Sequence, residues 1–119
     1  MKPLFYEYAA CSTCKNAKKW LKESGVDVTV IPIVERPPSA AELKKFHLAS
    51  GLPIKKFFNT SGLSYRALPA DQKPERLSDE ACYALLAADG KLIKRPLLVD
   101  DAQVLVGFQE SAYAAHFRG

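Results

Sequence analysis

Two thiols three positions apart, in the run Cys11-Ser12-Thr13-Cys14, are the side chains of this 119-residue chain best suited to making and breaking bonds. They stand where an apolar extended segment, Leu4-Phe5-Tyr6-Glu7-Tyr8, gives way to a helical pattern running from Lys15 to Ser24. Backbone N–H groups at the first turn of a helix are unpaired and the macrodipole favours negative charge, so a thiolate there is stabilised over the thiol. Lys15, Lys18, Lys19 and Lys22 are expected to act in the same direction. Cysteines in such settings titrate at about 3.5 to 7.5 rather than about 8.5, which makes Cys11 the expected nucleophile at neutral pH.

Two other readings of the thiols compete with this one. A free cysteine is commonly a small core residue, and that role suits Cys82, which lies in the apolar helical run Ala81-Cys82-Tyr83-Ala84-Leu85-Leu86. For Cys11 the same reading would need the helix start, the basic residues and the second thiol to coincide by accident. A structural zinc site needs about four nitrogen or sulfur ligands. Only Cys82, His47 and His116 remain to join the pair, none at ligand spacing, so no metal is expected.

Composition narrows the function classes. With 48% hydrophobic residues the chain is read as one globular domain over residues 1–119, able to bury roughly two thirds of its unfolded surface. It has neither an apolar run long enough to span a bilayer nor a signal-peptide pattern after Met1-Lys2, so the expectation is a cytoplasmic protein without membrane contact. That compartment keeps thiols reduced, and three cysteines then point to reactivity rather than to a disulfide framework. The net charge of +4 is spread over Lys15–Lys22, Lys44-Lys45, Lys55-Lys56 and Lys91–Arg95 without interleaved aromatics. This argues against direct nucleic-acid binding and leaves a basic surface able to attract small anions such as glutathione or an oxyanion.

The elements that must position the thiols follow from local pattern. Gly25 is expected to end the first helix, and Val28-Thr29-Val30-Ile31-Pro32-Ile33 reads as a strand parallel to the first. Ser39-Ala40-Ala41-Glu42 is a capping box opening a helix to about Ser50, closed by Gly51. Its weak apolar stripe, Leu43, Phe46, His47 and Ser50, makes His47 a surface or packing residue. From Leu52 to Leu77 the helical pattern is broken by Pro53, Asn59-Thr60-Ser61-Gly62 and Pro69. Ser78 caps a further helix, with Gly90 expected to end it after Asp89. Leu97-Leu98-Val99-Asp100 and Val104-Leu105-Val106-Gly107-Phe108 form a hairpin across Asp101-Ala102-Gln103, and Ser111 to Phe117 is a last helix.

The order β-α-β, a helical block, then β-β-α is a thioredoxin-like α/β arrangement: a central four-stranded mixed sheet with a helical insertion, about 39–89, between the βαβ and ββα halves. Arg95-Pro96, immediately before the third strand, would then lie opposite the Cys11 loop, with a proline of the kind that is typically cis.

Tyr8-Ala9-Ala10-Cys11-Ser12-Thr13-Cys14-Lys15-Asn16-Ala17-Lys18-Lys19-Trp20-Leu21, Phe58-Asn59-Thr60-Ser61-Gly62, Ile93-Lys94-Arg95-Pro96-Leu97 and Val106-Gly107-Phe108 together resemble the ArsC/Spx family of thioredoxin-fold proteins. In the arsenate reductases of that family one cysteine attacks arsenate, three arginines surround the oxyanion, and glutathione and glutaredoxin supply electrons. The resemblance implies that Cys11 is the nucleophile and Arg95 one of the arginines. Asn59 stands where the insertion carries a second, and Val106-Gly107-Phe108 holds no third. Each charge-assisted contact so lost is worth about 1.5 to 3 kcal/mol, so the expected chemistry is thiol–disulfide exchange rather than efficient arsenate turnover.

Cys14 is the second departure, an internal thiol able to close a disulfide with Cys11 where the single-cysteine enzymes use an external one. Lys15 and Arg95 are expected to hold an anionic partner or to stabilise the thiolate. Pro96 flanks the substrate site, and Asn59 and Thr60 either donate hydrogen bonds to substrate or serve only as turn and cap residues. No bound cofactor is expected. The implied redox partners are glutathione as co-substrate and glutaredoxin or thioredoxin. The Spx branch, whose members bind the RNA polymerase α-subunit with the thiol pair as a switch, implies a redox-sensing transcriptional regulator instead. Its members run on past the last helix, whereas this chain stops at Gly119, which ranks that alternative second.

Overall fold

The structure, a computed structural model, describes residues 2–118. In chain order the elements are β1 (Leu4–Glu7), α1 (Ser12–Glu23), β2 (Thr29–Pro32), α2 (Ala40–Ser50), α3 (Leu63–Arg66), α4 (Asp79–Ala88), β3 (Leu97–Asp100), β4 (Gln103–Val106) and α5 (Glu110–Arg118). Single 3₁₀ turns at Ile54–Phe57, Ala70–Gln72, Pro74–Arg76 and Gly90–Leu92 join the helices of the middle segment. The strands form one mixed sheet in the order β2-β1-β3-β4, with β1 parallel to β2 and antiparallel to β3, and β3 antiparallel to β4.

Alternation along the strands divides the core into two layers. Tyr6, Leu97 and Val104 point to one face, where Leu43 and Phe46 of α2 and Cys82, Tyr83 and Leu86 of α4 cover them. Phe5 and Leu98 point to the other, beneath Ala17, Trp20 and Leu21 of α1 and Tyr113 of α5. Burying a side chain such as Leu or Phe contributes about 1.5 to 3 kcal/mol, so the inner strands β1 and β3 are held from both faces, whereas β2 at the edge buries only part of Ile31. Cys82 is fully buried, as its apolar run requires.

Pro32 sits inside β2 without breaking the pairing. Thr29 donates to the Pro3 carbonyl and Ile33 to the Glu7 carbonyl, both at 2.8 Å. Alternate residues of β2 thus bond to β1, and the missing N–H of Pro32 falls on the open edge.

Three local expectations are revised. The first helix begins at Ser12 rather than Lys15, because Cys14 is the first member of the buried row Cys14, Ala17, Trp20 and Leu21 and is drawn into the first turn with it. The fourth helix ends at Ala88, and Gly90 opens the following 3₁₀ turn instead of closing the helix. A Cβ at Gly90 would lie 2.1 Å from the Ile33 carbonyl oxygen, so glycine is required there by close backbone approach and not by a positive φ. Gly25 and Gly51, in contrast, do adopt positive φ, 73° and 69°, after α1 and α2. The third revision is an unanticipated one-residue antiparallel bridge, Phe58 to Ile93, flanked by Asn59 N–H to the Leu92 carbonyl (2.7 Å) and Lys94 N–H to the Phe57 carbonyl (2.8 Å). It ties the middle segment to the residues leading into Arg95.

The hairpin turns on Asp101 and Ala102 alone, so Gln103 opens β4, which stops at Val106 rather than Phe108, and the remaining elements follow the pattern closely. Ser39 and Glu42 make the reciprocal capping box of α2, with bonds of 3.1 and 2.9 Å. Ser78 caps α4 through the Ala81 N–H. His47 is a packing histidine: its Nδ1 lies 2.6 Å from the Tyr83 hydroxyl, and its ring packs on those of Phe57 and Tyr83. Among the described residues, no helix is long and apolar enough to cross a membrane.

Candidate functional site

The β1–α1 junction makes Cys11 the N-cap of α1. Its backbone is extended (φ −88°, ψ 119°), its N–H donates to the Tyr8 carbonyl at 3.0 Å, and its carbonyl accepts the Lys15 N–H at 3.1 Å. The side chain occupies the position normally held by a Ser or Asp oxygen, and Sγ accepts the Cys14 N–H at 3.4 Å.

Burial on its own would raise the Cys11 pKa. That effect is outweighed by hydrogen bonds from the Cys14 backbone, the Cys14 thiol and the Thr13 backbone, and by the positive charge of Arg95, and the thiol ends below its ordinary value. Cys14 moves the other way. Burial pushes it up to about 12, against a hydrogen bond from the Tyr8 backbone, while its own bond to Cys11 and the negative charge there keep the proton on it. Cys11 is half-buried and Cys14 fully buried. The pair is thus one half-exposed, ionisable sulfur and one covered, protonated sulfur that donates to it.

Arg95 approaches from the opposite side on the segment preceding β3. Its guanidinium carbon stands 4.6 Å from the centre of the Tyr8 ring, Nη1 donates to the Lys91 carbonyl at 3.3 Å, and Nε is buried without a hydrogen-bond partner. The Arg95–Pro96 peptide is cis, and the Pro96 carbonyl accepts the Gly107 N–H at 2.8 Å. Arg95 therefore acts on both sulfurs, favouring the charged form of each.

The lysines of α1 do not have the part expected of them. All four are exposed and line a separate hollow with Gly25, Val26, Asp27 and Val28, and Lys18 is paired with Glu7 at 3.1 Å. The cation that lowers Cys11 is Arg95. The 3.6-residue repeat carries the lysines around the outer face of the helix, whereas the N-cap looks along its axis. Lys15 reaches the site through its backbone N–H, and its side chain is exposed.

Asn59 and Thr60 lie near the segment that leads to Arg95, but among the described residues neither side chain hydrogen-bonds to Cys11, Cys14 or Arg95. Asn59 is folded into its own turn, where a Cβ at Gly62 would fall 2.6 Å from its amide nitrogen. Thr60 lines a cavity along β4 together with Lys94 and Gly107.

Tyr8 is the site residue that sequence reasoning passed over. Its carbonyl fixes Cys11, its backbone N–H reaches Cys14, and its ring carries Arg95. An aromatic residue three positions before the first cysteine was the available signal, and it reads equally well as the end of a strand.

A mixed four-stranded sheet with a cysteine capping its first helix and a cis-proline leading into its third strand defines a thioredoxin-like protein of the kind that carries a helical segment between its two halves. The chain belongs to the ArsC family, whose model it matches over residues 6–116. Among its relatives is YusI of Bacillus subtilis, an uncharacterized protein, 50% identical over 109 residues that make up 92% of each chain. An arsenate reductase of Rhizobium meliloti is 31% identical over 79% of this chain and 66% of its own. The global transcriptional regulator Spx 2 of Bacillus anthracis is 26% identical over 90% of this chain and 80% of its own. In three dimensions the chain superimposes on an ArsC family related protein from Bacteroides fragilis with a TM-score of 0.91, at 49% identity over 97% of both chains.

Proposed function

We propose that this member of the family is a thiol–disulfide oxidoreductase in which Cys11 is the nucleophile and Cys14 the resolving thiol. The observation that carries the reading is the direct contact of the two residues, with Sγ of Cys11 accepting the Cys14 N–H and the two thiols pulled to opposite sides of their ordinary values.

In the proposed reaction the Cys11 thiolate attacks one sulfur of a substrate disulfide. The substrate S–S bond breaks, a mixed disulfide forms on Cys11, and the departing thiolate takes a proton from water. Cys11 is then neutral. The negative charge that held the proton on Cys14 is gone, while Arg95 and the Tyr8 N–H still favour its thiolate, so Cys14 gives its proton back to the hydroxide left by that step. It attacks Cys11 Sγ, expels the second substrate thiolate and closes the Cys11–Cys14 disulfide. The substrate gains two electrons and the protein loses two, which an external dithiol or two molecules of a thiol such as glutathione restore. Glutaredoxin and thioredoxin are the protein donors of that class.

We assign Arg95 to the anionic part of the substrate, because it is the cation that acts on both sulfurs. We assign Pro96, next to Arg95, together with Asn59 and Thr60 to the body of the substrate rather than to its sulfur, and Lys15, whose side chain lines the separate hollow on α1, is left out of the site. One guanidinium offers a two-point grip on a single carboxylate or oxyanion. On this ground small disulfides are the proposed substrates, and arsenate turnover is expected to be weak.

The test is alkylation with mass mapping at graded pH, followed by mild diamide. Cys11 is expected to alkylate first, Cys14 later and Cys82 last, and diamide is expected to yield a Cys11–Cys14 disulfide within one chain. Equal rates at Cys11 and Cys82, or a free Cys14 beside a glutathionylated Cys11, would refute the two-thiol mechanism.

The relationship to Spx 2 over 90% of the chain favours a second reading. In it the same disulfide is a sensor that controls binding to the RNA polymerase α-subunit. Capture of that subunit by only one redox form, with no turnover of small disulfides, would select the regulator over the enzyme.

A further inference from the structure

The sheet ends on β4, and the thiol chemistry leaves that edge unused. Gly107 N–H bonds to the Pro96 carbonyl, and the register continues as Leu97 with Val106, Leu98 with Leu105, Val99 with Val104 and Asp100 with Gln103. Bonded and non-bonded pairs alternate in an antiparallel ladder. Leu105 and Gln103 therefore exchange bonds with β3, and Val104 and Val106 turn their N–H and C=O groups outward. Two donors and two acceptors at strand spacing face away from the sheet.

That edge is recessed and basic. It forms the floor of a cavity of about 760 Å³, walled by Leu52 and Phe58 from the segment after α2 and by Gln109 and Tyr113 on the other side. Lys55, Lys56 and Lys94 line it, and no aspartate or glutamate does. Lys55 is paired with Glu75 at 2.6 Å. Among the described residues Lys56 and Lys94 are exposed and form no ion pair.

We infer that this groove receives an extended acidic segment of a partner protein, which adds to β4 as a fifth strand. Backbone hydrogen bonds to Val104 and Val106 would supply the register, and Lys56 and Lys94 the preference for carboxylates. A second copy of this chain is the poorer occupant, because pairing edge to edge would bring two sets of the same lysines together on a protein of net charge +4. The Val106 end of the groove lies beside Leu97 and Pro96, and Leu97 also pairs with Tyr6. A docked strand would thus reach the end of the sheet that carries Cys11. No thiol takes part in the docking, so the inference stands apart from the proposed exchange chemistry.

The probe is a fluorescein-labelled peptide of about eight residues alternating threonine and glutamate, a length that covers β4 and its flanks. The control peptide replaces glutamate with lysine. With the full-length reduced chain the glutamate peptide is expected to bind saturably, to shift the Val104 and Val106 amide resonances and to slow their hydrogen exchange. The double variant Lys56→Glu with Lys94→Glu is expected to weaken binding about tenfold or more, whereas Cys11→Ser binds as the parent does. Val104→Pro removes an outward donor without removing a bond to β3, and binding by a folded Val104→Pro chain is expected to fall as well. Should that variant fail to fold, the charge-reversed pair decides.

Equal binding of both peptides would overturn the inference, as would resonance shifts centred on the α1 lysines, indifference to charge reversal, or no binding. Self-association that protects the same amides without peptide would overturn it in favour of a second copy.

Discussion

Replacing Cys14 by alanine removes one donor from Cys11 and leaves the others. The Cys14 N–H, the Thr13 N–H and Arg95 remain, and only the hydrogen bond from the neighbouring thiol is lost. A hydrogen bond to a charged group is worth about 1.5 to 3 kcal/mol. Cys11 is partly exposed, so screening places the effect near the lower end, about 1.4 kcal/mol, or tenfold in the thiol–thiolate equilibrium. The Cys11 pKa should therefore rise, and the rate of alkylation should change in two opposite ways. On the acid side of the profile the thiolate population falls tenfold while each thiolate becomes about threefold more nucleophilic, for a Brønsted slope of 0.4 to 0.5. The net result is a fall of about threefold. On the alkaline plateau, where Cys11 is fully ionised, the same slope gives a rise of about threefold. Cys14→Ser keeps a hydroxyl donor in place and should leave both limbs near those of the parent. Iodoacetamide kinetics from acid to alkaline pH, with thiolate absorbance as an independent titration, measure both limbs. Coincident profiles for the alanine and serine variants, or a lower Cys11 pKa in the alanine variant, would refute the hydrogen-bond account of the pair.

Arg95→Ala should also raise the Cys11 pKa and slow alkylation near neutrality, and Arg95→Lys should restore the charge effect but not binding of an anionic disulfide, seen as a recovered alkylation profile with a KM that stays high. Gly90→Ala should lower Tm by several degrees, because a Cβ 2.1 Å from the Ile33 carbonyl oxygen must push the turn off β2; thermal unfolding followed by circular dichroism measures it. The folded chain keeps the Cys14 proton up to about pH 12, and the unfolded chain releases it near 8.5. Above pH 8.5 the native state then binds more protons than the unfolded state, so stability should fall with rising pH by up to about 1.4 kcal/mol per pH unit, and urea unfolding of Cys14→Ala should show a shallower slope.

Most of the architecture was legible because it depends on local pattern. The capping box at Ser39, the glycines after α1 and α2, and the alternation in β1, β3 and β4 each act within a few residues. What escaped was set by contacts distant in sequence. The bridge from Phe58 to Ile93 spans a single residue pair and leaves no periodicity, and the close approach of Gly90 to Ile33 is invisible until β2 and the 3₁₀ turn meet. The same division holds at the site. Cys11 and Cys14 declared themselves through spacing and a helix start, and Arg95 through its proline. Arg95 was also the expected thiolate stabiliser, but sequence proximity gave the same part to four lysines that helical geometry carries away from the N-cap.

The proposed chemistry needs two sulfurs that are never reactive together. If both were low-pKa thiolates, two like charges would sit within hydrogen-bonding distance and each would raise the other. If both were ordinary thiols, only a few per cent of each would be thiolate at neutral pH and attack would be slow. Folding separates them by unequal access: the N-cap leaves Cys11 at the surface among N–H donors, and the i+3 position turns Cys14 into the row with Ala17 and Trp20. Arg95 favours ionisation of both sulfurs, so it does not choose between them, and the choice falls to burial and to the hydrogen-bond donors gathered on Cys11. Once Cys11 is tied up in a mixed disulfide its charge no longer opposes ionisation of Cys14, and the guanidinium that served the first sulfur serves the second. The order of attack therefore follows from placing one fixed cation beside two thiols of different exposure.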